Sequence, residues 1–139
     1  GDSGAYSLGF IFSSFLISIY LFNKNISPFF IILLLWYPCF ENLFSIIRKY
    51  KFKRSPIFPD EKHLHQLLFF FIKKKLKLKN IHLNNLSSCL INFYNLVIFS
   101  VGSIYIHHTQ YQIMLIIFNI IFYIIVYSRL FSFKYLEAQ

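Results

Sequence analysis

Two short stretches hold most of the residues that could do chemistry. Gly1-Asp2-Ser3-Gly4 sets a carboxylate between glycines, and Gly9 follows closely. Glycines beside an Asp at a helix mouth let backbone approach a phosphate, while the carboxylate offers a hard oxygen ligand to Mg²⁺. A start without function explains this tetrapeptide equally well. The second stretch is Pro59-Asp60-Glu61-Lys62-His63-Leu64-His65-Gln66. Asp60 can cap an amphipathic helix running from Glu61 to about Phe71. On such a helix His63 and His65 point about 200° apart, which disfavours a two-histidine metal pair. His63 can instead pair with Asp60, and His65 with Glu61, orienting both imidazoles for phosphate contact near neutral pH. Interfacial histidines without function are the competing reading.

Glu41 stands in the apolar run Trp36-Tyr37-Pro38-Cys39-Phe40-Glu41-Asn42-Leu43-Phe44. A carboxylate at membrane depth is costly, so it marks either function or helix pairing; a hydrogen bond to neighbouring helices or to a loop is the slightly favoured reading. Asn92, Asn95 and Asn119 are candidates for polar contacts between helices. Arg48, Lys49, Lys51, Lys53 and Arg54 lie close in sequence to the histidines and could neutralise a diphosphate, whereas Lys73, Lys74, Lys75, Lys77 and Lys79 would sit near anionic headgroups. Cys39 and Cys89 fall inside apolar blocks as small hydrophobes, with no disulfide framework or zinc site implied. His82, His107 and His108 flank apolar segments and carry no assigned role.

The elements that must position these groups follow from composition. Of 139 residues, 57% are hydrophobic, 22% aromatic and 14% charged, which excludes an ordinary water-soluble surface. Four apolar spans, at about 5–22, 26–47, 86–106 and 111–131, are each about long enough to cross a bilayer as a helix, and none alternates as a barrel strand does. The expected fold is therefore all-α and polytopic: two helical hairpins joined by a basic loop over 48–85. That loop holds eleven of the fourteen Lys and Arg, which places it in the cytoplasm. Both termini then lie on the same side, where Asp2 and His63 can converge. The net charge of +9 bears on topology before nucleic acid, since no aromatic platform interleaves the charges. The only methionine is Met114, and residues 1–139 read as a fragment of a larger membrane protein.

Three segments, Gly1 to Phe10, Tyr37 to Arg48 and Pro59 to Gln66, resemble one family in one order. This is the polyprenyl-phosphate N-acetylhexosamine-1-phosphate transferases, glycosyl transferase family 4, which includes the peptidoglycan translocase and the enzymes that start O-antigen synthesis. The resemblance is specific over roughly the first 70 residues and rests on hydropathy beyond them. It implies Mg²⁺-dependent transfer of a sugar-1-phosphate from a UDP-N-acetylhexosamine to undecaprenyl phosphate with release of UMP, at the cytoplasmic face of a bacterial inner membrane, with a homodimer as the assembly. By resemblance Asp2 is the Mg²⁺-binding and catalytic Asp, His63 and His65 are the catalytic histidines, and Gly1, Gly4, Arg48, Lys53 and Arg54 line the substrate site. Gln66 stands where the family often has a further His, and Ala5 where Ser is frequent, which points to a subgroup making surface glycans. The family's upstream half, with its Asp-Asp motif, is not in this sequence, so the chain alone is expected to be inactive. The alternative is a noncatalytic membrane protein whose polybasic loop binds anionic lipid or a partner.

Overall fold

The structure is a computed structural model that describes residues 2–51, 53, 62–76 and 79–135, with only the backbone of Asp2, Ser3 and Ala5. Five helices account for nearly all of the described residues: α1 (Asp2–Phe22), α2 (Pro28–Lys51), α3 (Leu64–Lys75), α4 (Asn80–Ile104) and α5 (Thr109–Tyr135). Three of them, α2, α4 and α5, are long and apolar enough to cross a membrane, as in a multi-pass membrane protein. The apolar part of α1, Tyr6–Phe22, is shorter.

The helices outrun the apolar spans read from the sequence. Arg48, Lys49 and Lys51 form the last turn of α2, and Asn80 to Asn85 already belong to α4, so the connection between α2 and α4 is shorter than 48–85. Basic residues end a membrane helix without breaking it, because their long stems reach to the interface and their charge complements the helix C-terminus. Pro38 lies inside α2 without ending it, as membrane helices tolerate where neighbours satisfy the freed carbonyl.

Burial is arranged for a solvent of lipid. The interior holds Ser27, Glu41, Ser45, Arg48, Ser87, Asn95, Gln112 and Asn119, while Ile, Phe and Leu crowd the outside of α1, α4 and α5. In water that distribution would be inverted. Along α5 the buried positions Gln112, Asn119, Tyr123, Tyr127 and Leu130 fall on one stripe against α2, α3 and α4. Asn119 links α5 to α4 by accepting from the Tyr94 hydroxyl. Helix α1 rests on α2 with Leu16 buried and Ile19 half-buried, and its other described apolar side chains face outward.

The two interhelical turns meet at one end of the bundle. Ser27 Oγ accepts from Phe29 N–H to cap α2, ahead of Pro28 at the first helical position, where a missing N–H costs nothing. The same hydroxyl reaches Thr109 Oγ1 at 3.1 Å, Ser27 N–H donates to the Ile106 carbonyl at 3.0 Å, and His107 bonds the Asn25 carbonyl at 2.7 Å. Gln112 Nε2 donates to the carbonyls of Gly102 and Tyr105, closing the open end of α4. Gly102 permits this, because a Cβ there would stand 2.6 Å from Leu33 and 3.3 Å from Gln112 Oε1.

Candidate functional site

At the opposite end, α2 presents Glu41 to the start of α3. Oε1 of Glu41 accepts from His63 Nδ1 at 2.9 Å and from the Leu64 backbone N–H at 3.0 Å, and Oε2 accepts from the Tyr123 hydroxyl at 2.6 Å. Tyr37 stands beside the same carboxylate. Glu41 thus caps α3 from another helix: a negative charge meets the exposed N–H groups and the positive end of the helix dipole. Three donors surround an ionised carboxylate, which can only accept. The Nδ1 nitrogen of His63 must therefore carry the proton, leaving Nε2 as the nitrogen free for other chemistry. The His63 side chain remains about a quarter exposed, so that nitrogen can meet a ligand.

The start of α3 differs from the reading that began a helix at Glu61. Lys62 and His63 are not helical, and His63 is an N-cap with φ −70° and ψ 151°. Gln66 reaches back so that its Oε1 accepts from His63 N–H at 3.2 Å, the reciprocal half of a capping box. Because His63 lies outside the helix, helical angles do not separate it from His65. The two rings stack with centroids 5.8 Å apart and 15° between planes, correcting the expectation that they point apart. His65 is exposed at the rim, yet partial cover and then the neighbouring His63 push its pKa below the ordinary imidazole value. The expected partners Asp60 and Glu61 lie outside the described residues, and Glu41 takes up His63 in the structure.

Arg48 turns inward one helical stretch beyond Glu41. Its Nη1 donates to the Tyr127 hydroxyl at 2.7 Å and to the Lys62 carbonyl at 3.0 Å, and the guanidinium lies over the rings of Tyr127 and Phe44. It is buried and fastens the approach to α3 onto α2 and α5. Its place in the structure is beside the carboxylate–imidazole pair, as a positioning group. Lys53 is exposed in a turn with φ 52°. Gly4 lies in the first turn of α1 with open space where a Cβ would be. Asp2 opens that helix, and its side chain, with Gly1 and Arg54, lies outside the described residues. The structure therefore joins Glu41, Arg48, His63 and His65 at one end of the bundle.

Sequence reasoning missed Tyr123 and Tyr127. Their signal was the α5 stripe Asn119, Tyr123, Tyr127, Leu130, spaced four, four and three residues apart, which sets hydroxyls along one helix face. Among the described residues no group of three or more His, Cys, Asp or Glu is placed to hold a metal, and both oxygens of Glu41 already face hydrogen donors. That donor set suits an anion-binding imidazole and does not fit Mg²⁺, which seeks several oxygens. Compared with known proteins, the chain matches no family model, no curated protein and no solved structure.

Proposed function

We propose that this chain is the C-terminal portion of a membrane transferase that moves a sugar-1-phosphate from a UDP-N-acetylhexosamine to a polyprenyl phosphate, releasing UMP. One observation carries the reading. Glu41, from the second of three ordered motifs, directly holds His63, from the third, although 22 residues separate them. In the proposed reaction the lipid phosphate attacks the phosphorus that bears the sugar, forming a new P–O bond as the bond to the UMP oxygen breaks. Glu41 fixes the His63 tautomer so that Nε2 faces the diphosphate, where it donates to a phosphate oxygen when protonated. Arg48 and Tyr127 keep the segment bearing His63 in place. Magnesium, which the resemblance assigns to Asp2, would be held by that carboxylate, a side chain outside the described residues, and would neutralise charge on the diphosphate. A fourth crossing by α1 would bring Asp2 to the side of His63, at the cytoplasmic face of a bacterial inner membrane.

The test is UMP release by the full-length gene product with a panel of UDP-N-acetylhexosamines and undecaprenyl phosphate. His63→Ala should lower the rate about a hundredfold or more at unchanged expression and thermal stability. Glu41→Gln should shift the pH profile of the remaining activity. Wild-type turnover in His63→Ala overturns the assignment of His63. A second reading rests on the same geometry: the carboxylate's three donors suffice for a purely structural joint, as in a noncatalytic membrane protein. It predicts that no UDP-sugar yields UMP and that Glu41 substitutions alter stability alone.

A further inference from the structure

Helix α3 is 12 residues long, too short to cross a bilayer, and lies against the ends of α4 and α5. Beside the buried Leu64 and Leu67, which share the core with Leu130 of α5, its contact with α5 includes reciprocal cation–ring pairs. Lys74 on α3 lies 4.8 Å from the Phe133 ring on α5, and Lys134 on α5 lies 5.6 Å from the Phe70 ring on α3. Phe71 and Phe133 meet edge to face between them, with centroids 5.0 Å apart. Lys73 and Lys75 lie over Phe69 and Phe71 of their own helix. Four ammonium groups are thereby gathered at one end of the molecule. Among the described residues none of the four has a carboxylate within ion-pair distance, and Glu41, the one described acidic side chain, is engaged with His63, Leu64 and Tyr123.

An ammonium resting on a ring keeps the N–H groups that point away from it, so each lysine can still donate to a phosphate. The rings hold the four cations at a fixed place, which limits the side-chain entropy lost on binding. Further along α5, beyond the exposed Ser128 and Arg129, the surface turns apolar at the exposed Ile121, Ile124 and Ile125, which suit hydrocarbon. Cations above an apolar belt match a lipid with a negative head and fatty tails; a nucleic acid would leave the belt unmatched.

We propose that Lys73, Lys74, Lys75 and Lys134 form a seat for the headgroups of anionic phospholipids, and that an occupied seat holds α3 against α5. The seat is independent of the transferase reading and would serve either function. The experiment reconstitutes the whole chain in nanodiscs of phosphatidylcholine, with or without phosphatidylglycerol, and follows amide hydrogen exchange of residues 64–75. Phosphatidylglycerol should slow that exchange severalfold, less so at high salt. Each lysine removed should lower the apparent affinity for phosphatidylglycerol about fivefold. Lys73→Gln/Lys75→Gln is the cleanest variant, since both residues lie over rings of α3 itself and their loss leaves the Lys74–Phe133 and Lys134–Phe70 pairs to α5 in place. The corresponding double arginine variant should restore the response. Equal protection with and without phosphatidylglycerol, an unchanged response in the double glutamine variant, or the same protection from an oligonucleotide in phosphatidylcholine discs would each overturn the proposal.

Discussion

The two ends of the bundle are closed by different chemistry. Where the turns meet, neutral groups suffice: Ser27 and Thr109 bond one another, Gln112 Nε2 serves two backbone carbonyls, and Gly102 lets the chains approach. Where α3 docks, the closure depends on charge: Glu41 caps a helix from a distance, and Arg48 ties its lead-in to α5. Neutral contacts lose less when one member is trimmed, because no charge is left without a partner. A buried carboxylate with three donors is different, since removing it strands all of them. A reactive group is also better served by the second arrangement, because a charged partner fixes a protonation state as well as a position.

Substitutions at the two ends should separate these modes. The largest effect is expected for Glu41→Ala, which leaves His63 Nδ1, the Leu64 N–H and the Tyr123 hydroxyl without their acceptor; a loss of about 3–5 kcal/mol should appear in thermal unfolding, together with faster proteolysis around residues 62–66. If stability falls by no more than at the turn end, the contrast between the ends fails. Gly102→Val comes next. Its branched side chain would meet buried Leu33 and Gln112, and a destabilisation of about 1–3 kcal/mol should follow from overpacking, while Gly102→Ala should cost less because Leu33 can rotate and alanine favours the helix. Ser27→Ala removes the α2 cap and the Thr109 contact, and a loss of about 1 kcal/mol is expected in the same melts.

The smallest effect concerns pH. The His65 pKa is pushed down by cover and by His63, so its neutral form is favoured in the folded protein. Its contribution to stability is complete above the ordinary imidazole pKa and is lost as pH falls through the lowered value, because the unfolded chain then binds the proton more readily. His65→Gln should flatten the acid side of the stability profile. An unchanged profile would mean that the cover over His65 does not bear on stability.

Much of the fold was legible in the residues. Apolar runs of membrane-crossing length placed α2, α4 and α5, because a lipid solvent demands that backbone polar groups be satisfied within each segment. Helix ends were less legible: interfacial Lys and Arg that look like loop residues continue α2, since helix geometry does not stop where hydrocarbon does. The start of α3 was misread for a related reason. Asp60 carried a strong capping signal, while Gln66 and the remote Glu41 supply the cap that the structure describes. His63 and His65 seemed to diverge only because both were given helical angles.

The sequence by itself determined that this is an all-helical chain with long apolar helices, with charge concentrated between Arg48 and Lys79, and with a carboxylate at membrane depth that required a partner. Those properties follow from hydropathy and local backbone preference, which act over neighbouring residues. Only the tertiary structure decided which donors answer Glu41, since His63 and Leu64 lie across an intervening connection and Tyr123 lies 82 residues away. Hydroxyls on an apolar helix look alike until packing turns some inward, and a carboxylate selects among them by the few ångströms over which a hydrogen bond can form.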